Sequence, residues 1–286
     1  SSVAFEIANA VEADYDASGT VRIGDEVMTY SARATSTNGI EITGVVRGTD
    51  NTIAQSHNFD ASVQKCVRYT EAALTDVLVD LMQTRGGLPA EYMADFVAGQ
   101  PSYEEAVNYL SFARVTRVLT EPYGISELIS DLAEQVQFFI WWEETEQLVK
   151  LRAIRGFSEE PETLTDAANI ISGTFSLADK PKERASQVWV YYAPRDFTQA
   201  DDDVNNYEYQ YVIADLQSET DELYGSASIR KIFASWVNQS IVAQTTATKL
   251  SNKYVDMPTQ GKFRVDIKDG DYQIGATFYI SHYLDV

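Results

Sequence analysis

Apolar residues near the start of the chain fall in short clusters with polar residues between them. Val21 and Ile23, Val27 and Tyr30, Ile40 and Ile42, then Val45-Val46 after Gly44 read as short strands. Turn residues separate them at Ser18-Gly19, Asn38-Gly39 and Asp50-Asn51. Asn38-Gly39 is the strongest hairpin signal, because a type I′ turn needs φ > 0 at both central residues. Strands this short bury little, so the pattern predicts a small all-β module over residues 1–70 that leans on a neighbour.

The period changes over residues 71–85. Leu74, Val77, Leu78, Leu81 and Met82 share one helical face, and Gly86-Gly87 with Pro89 ends the helix. A short helix is predicted from Tyr103 to Leu110. Another starts near Ile125, with Ile125, Leu128, Ile129, Leu132 and Val136 on one face. A strand, Phe138–Trp142, then turns through Glu143–Glu146 into a second, Leu148–Ile154. Residues 71–160 therefore read as an α+β unit. Beyond a loop at 155–169, strands are predicted at Ile170–Leu177, Ser186–Tyr192 and Tyr207–Val212. Ile229–Val237 fits strand or helix. A helix over 240–256 carries Ala243, Ala247, Leu250 and Tyr254, and strands at Phe263–Ile267 and Ala276–Tyr283 flank a turn at Gly270. The predicted fold class is α+β, with a third, β-rich domain over 161–286 built around one long helix.

Composition narrows the possible partners. Forty-three acids against 22 Lys and Arg give a net charge of −21. Phosphate contacts need basic clusters, and an acidic surface repels DNA and anionic membranes, so neither specific nucleic-acid binding nor membrane binding is expected. The longest apolar patch, Phe138–Trp142, is far short of the roughly 20 residues that cross a bilayer. The opening SSVAFEIANA lacks the features of a signal peptide. The missing initiator Met and the strand-like ending ATFYISHYLDV lead us to expect a piece of a longer protein. Cys66 is the only cysteine. It allows no intrachain disulfide, fits a reducing cytoplasm, and reads as a buried structural thiol.

Candidate chemistry is sparse. Residues 14–25, DYDASGTVRIGD, place Asp14, Asp16, Ser18 and Asp25 at calcium-loop positions 1, 3, 5 and 12, with Gly19 at 6. Asp stands at position 12 where Glu is usual, and the flanks are strands, so a hairpin turn is the stronger reading. Asp201-Asp202-Asp203 could gather a hard cation, but reads first as a solvated loop. His57 and His282 are the only histidines, His57 being most simply a loop hydrogen-bonder. No nucleophile elbow, phosphate loop or dinucleotide fingerprint occurs. Glu143, Glu144 and Glu146 follow Trp141 and Trp142, as a sugar-cleaving or sugar-binding site would require, although solvation explains acids on a two-strand turn better. No cofactor and no catalytic residue is expected.

The segment VRIGDEVMTYSARATSTNGIEITGVVRGTDNTIAQSHNFDASVQ resembles a module of long-tailed bacteriophage tail proteins. An IG-E-hydrophobic-x-Y hairpin leads there to TGV-RG-T-A-H. The matching residues are Ile23, Gly24, Glu26, Tyr30, Thr43, Gly44, Val45, Arg47, Gly48, Thr49, Ala54 and His57. ISELISDLAEQVQFFIWWEETEQLVKLRAIR and LYGSASIRKIF with the helix after it resemble further segments of the same hub, or tail-tip, proteins. The resemblance implies a non-enzymatic virion protein, assembled in the host cytoplasm and placed at the tail tip. Such hubs are usually trimeric rings of β-barrel-like domains under the tail tube, which implies a β-barrel-like form for the domain over residues 161–286. They contact the distal tail protein, tape measure and fibres, and conduct DNA on ejection; acids lining the lumen would keep DNA from sticking. Some relatives hold an iron–sulfur cluster through several cysteines, which one cysteine does not match. The alternative is a tail-associated glycan-binding or cell-wall hydrolase module.

Overall fold

The clusters at the start of the chain form strands: β1 (Val3–Ala8), β2 (Gly19–Ile23), β3 (Glu26–Tyr30), β4 (Ala32–Thr35), β5 (Gly39–Thr49) and β6 (Val63–Ala73). The computed structural model describes residues 3–155, 161–220, 222–266, 272 and 274–281. With β7 (Arg114–Leu119), these strands make a seven-stranded sheet in the order β1-β5-β3-β2-β6-β7, β4 also pairing with β5. Ile7, Val21, Ile23, Met28, Tyr30, Ile40, Ile42 and Val45 form its core.

The β4–β5 hairpin forms where Asn38-Gly39 predicted it, but neither residue has positive φ. Gly39 serves close approach instead. A Cβ there would lie 2.1 Å from the Ile7 carbonyl oxygen of the adjacent β1. The paired left-handed residues occur one turn later, at Asp50 (φ 56°) and Asn51 (φ 60°), where the Thr52 N–H donates to the Thr49 carbonyl at 3.1 Å.

Strand β6 runs further than its sequence period indicates. It stays in the sheet to Ala73, paired with Arg114, so helix α1 (Leu74–Val79) starts later than residue 71. The helix continues as a wider turn over Asp80–Arg85 and ends at Gly87, φ 68°. The predicted face is right, with Leu74, Val77, Leu78 and Leu81 all buried. Helices α2 (Pro101–Leu110) and α3 (Ile125–Val136) follow, then the hairpin β8 (Phe138–Glu143) and β9 (Leu148–Ala153). Leu128, Leu132 and Val136 point α3 into the large core, each contributing on the order of 1.5–3 kcal/mol by burial.

The remaining strands are β10 (Glu162–Thr165), β11 (Ser176–Asp179), β12 (Gln187–Pro194), β13 (Tyr207–Ala214), β14 (Ile229–Ala234), β15 (Thr259–Lys262) and β16 (Phe278–Ser281). The segment Ile229–Val237, ambiguous in sequence, forms a strand over Ile229–Ala234, parallel to β12, and turns after it. The strand expected at Ile170–Leu177 does not form. Gly173 (φ 73°) and a Thr174-to-Ile171 hydrogen bond turn the chain, leaving an isolated bridge at Ile170 and a strand only from Ser176. The strand expected at Phe263–Ile267 is displaced to Thr259–Lys262, where it pairs with β11. Residues 267, 270, 282 and 283 of the predicted C-terminal strands and turn lie outside the described residues.

Helix α4 (Ser240–Tyr254) lays Val242, Ala243, Ala247 and Leu250 against the inner face of the sheet β13-β12-β14, where Val188, Val190, Ile232 and Ala234 meet it. A sheet covered by a helix has no need to close on itself. Among the described residues none of the sheets closes into a barrel, so the barrel-like character expected of residues 161–286 is absent there.

Candidate functional site

Three residues of the quoted β motif, Arg47, Gly48 and His57, converge on the carboxylate of a fourth, Glu26. Strands β2 and β3 join through Gly24 and Asp25, with Gly24 (φ 58°) supplying the left-handed first position of a two-residue turn. The next residue, Glu26, is 0% exposed. Its oxygens accept from Arg47 Nε at 2.8 Å and from a second nitrogen of the same guanidinium. They also accept the backbone N–H groups of Gly48 and Gln55, each at 3.1 Å, and lie 2.7 Å from His57 Nε2. Burial alone would raise the carboxyl pKa. The hydrogen bonds from Arg47, Gln55 and His57 outweigh it and hold the group at about 2.

The loop 50–62 is fastened by this carboxylate. It crosses Gly48 (φ 59°), where a Cβ would come 3.0 Å from Ala54 N and Thr52 O. The Thr52 hydroxyl accepts the Val27 N–H at 3.0 Å, and the Asn51 side chain donates to the Arg195 carbonyl at 2.8 Å, tying the loop to the second half of the chain. Between β1 and residues 57–63 opens a cleft of about 900 Å³, with Ile7 and Met28 among the core residues of its wall and His57 and Phe59 at the loop. That is the size of a ligand site. Glu26 itself is dry and ionised at neutral pH and has its oxygens occupied, so its work is to hold the loop rather than to move a proton.

The other sequence candidates are scattered. Asp14, Asp16 and Ser18 precede β2, and Asp25 follows it, so the length of a strand, about 17 Å, separates the ends of the calcium-loop pattern. Asp16 pairs with Lys65 at 3.0 Å and Asp25 with Arg22 at 3.6 Å. Among the described residues no group of three His, Cys, Asp or Glu could hold a metal ion. Asp201 pairs with Arg117 at 2.6 Å, and the Asp203 carboxylate accepts the Asn205 N–H at 2.9 Å. Glu146 pairs with Lys150 at 2.8 Å, and Glu143 accepts from Trp141 Nε1 at 3.4 Å. Trp142 is 45% exposed and stands edge-on to Tyr92, centroids 5.2 Å apart. His282 lies outside the described residues. Cys66 is buried, and desolvation pushes its thiol up to about 11.

Two buried polar networks escape the sequence reading. Arg117, 2% exposed, reaches Ser235 and Asp201 and sits 5.3 Å from the rings of both Tyr123 and Trp236. Strand phase does not single it out, because Val115, Val118 and Leu119 are buried as well and β7 is covered on both faces. The second joins Asp95, which accepts the Ser102 N–H at 2.9 Å, to Lys150 Nζ at 3.2 Å. The Ser102 hydroxyl in turn accepts the Leu151 N–H at 2.8 Å. Its partners lie up to 55 residues apart, a distance no local pattern spans.

No family model matches the chain, and no curated protein matches it. Among solved structures it is similar to the 43 kDa tail protein of prophage MuSo2 from Shewanella oneidensis. The likeness has a TM-score of 0.42 at 12% identity, and covers 98% of this chain and 79% of that one.

Proposed function

We propose that this chain is a structural protein of a phage or prophage tail, and specifically a hub at the tail tip that assembles as a trimeric ring and passes DNA on ejection. The observation that carries the reading is the Glu26 unit. Of the residues that carry the resemblance to the tail-protein module, Arg47, Gly48 and His57 gather around the buried carboxylate of a fourth, Glu26. The resemblance therefore follows a folding unit and not a chance string of turn residues. In this role the net charge of −21 keeps DNA from sticking to the hub.

Light scattering on the full-length protein tests the assembly. A trimer with no activity on cell-wall glycan supports the hub; a strict monomer at high concentration removes the ring. The second reading, a glycan-binding module or hydrolase, has one observation in its favour: the exposed Trp142 beside the acids of the β8–β9 turn. Binding or cleavage of host polysaccharide that is lost in Trp142→Ala would support it over the hub.

A further inference from the structure

Among the described residues, strand β13 is an open edge. It pairs with β12 alone among the described residues, and its eight residues, Tyr207–Ala214, contain no Pro, Gly, Lys or Arg. The Asp215 N–H donates to the Ser186 carbonyl at 2.8 Å. By alternation, residues 209, 211 and 213 turn their backbone groups to β12, while Glu208, Gln210, Val212 and Ala214 turn theirs outward. All four outward-turned residues are exposed. Soluble proteins usually blunt such an edge with charged side chains, lysine above all, or with proline, a bulge or a cover; within β13 Glu208 is the one charge, and neither proline nor bulge is present.

Charge decides what fits there. The 34 residues from Asp196 to Ile229 contain nine Asp and Glu and no Lys or Arg. A second copy of the chain is a poor occupant: antiparallel pairing of two β13 strands would set the Glu208 end of each against the Asp215 end of the other. A basic strand has no such conflict. We infer that the β13 edge is a docking site for an extended segment of another protein, carrying alternating apolar residues flanked by Lys or Arg, that adds a strand to the sheet β13-β12-β14. Backbone groups of the even-numbered residues hold the segment in register, and the surrounding acids select its charge. The inference goes beyond the tail-hub reading and does not depend on it.

The test uses the whole chain and a labelled decapeptide of three Thr-Val pairs with two lysines at each end, alongside a version with glutamates in place of the lysines. Fluorescence anisotropy should show saturable binding of the basic peptide only, weakening as salt rises. Amide exchange should slow at residues 208, 210, 212 and 214. Val212→Pro removes an outward N–H without touching the ladder to β12, and should lower affinity about tenfold or more while leaving the fold intact. Should that variant fail to fold, Glu208→Lys keeps the strand and should weaken the basic peptide while strengthening the acidic one. Absence of saturable binding up to about 1 mM, equal binding of the two peptides, or protection elsewhere than β13 overturns the inference. So does dimerisation of the chain through this edge.

Discussion

The Arg117 guanidinium lies 2.6 Å from the Asp201 carboxylate, joining positions 84 residues apart in sequence. The arginine is buried and the aspartate half-exposed. Removing the aspartate takes the closest counter-charge from a cation that has already lost its water, and the Ser235 hydroxyl, the Tyr123 side chain and the more distant Asp131 carboxylate offset it only in part. Asp201→Ala is therefore expected to destabilise by about 2–3 kcal/mol, below the full cost of breaking a buried pair because solvent reaches the vacated side. Urea unfolding checks this as a lower midpoint at unchanged slope.

Glu26 makes stability depend on acid. Its carboxyl is held at about 2, below the ordinary value of 4.5. A group with a depressed folded pKa stabilises above the unfolded value and loses that contribution as pH falls toward the folded one. The loss should fall between pH 4.5 and about 2 and amount to about 3 kcal/mol. Glu26→Gln should lose a similar amount already at pH 7, because its amide NH2 meets the donors that the carboxylate accepted. Stability measured against pH in both proteins should show the acid-dependent loss flattened in the variant.

Gly39→Ala should detach β1. The new Cβ would sit 2.1 Å from the Ile7 carbonyl oxygen, against backbone that has no rotamer to change. The expected cost is about 2 kcal/mol or more, and amide exchange should quicken in Val3–Ala8 before the rest of the sheet.

Cys66 should resist alkylation in the native protein. Its thiol is buried and pushed up to about 11, so little reactive thiolate is present at neutral pH. Iodoacetamide labelling should follow unfolding in urea. Rapid labelling without denaturant would contradict the burial.

Legibility in the sequence followed the range of the interaction. Helix faces such as Leu128, Leu132 and Val136 are set by neighbours three or four residues away, and they were readable. So were the strands of the first module, because each has turn residues beside it. What failed was set at a distance. The Gly39 turn is shaped by Ile7, on a strand 32 residues earlier. The start of α1 is delayed because β7, 40 residues later, holds Ala73 in the sheet. At the candidate site, the β motif named Glu26, Arg47 and His57 through resemblance. Nothing local announced that one carboxylate would collect them all, or that Arg117 and Lys150 would be buried.

The placement of β12 has a consequence for the chain as it is made. Its antiparallel partner β13 follows closely and can join it as a local hairpin within microseconds. Its parallel partner β14 arrives only after the long connection beyond β13, and α4, which covers the sheet, comes later still. A nascent chain thus passes through a stage in which an aromatic-rich hairpin has open edges on both sides. Like-charged residues beside such a hairpin act as gatekeepers that keep neighbouring nascent chains apart. The acids between Asp196 and Ile229 are where a gatekeeper would have to be, and the ribosome delivers all nine before β14 can close the inner edge.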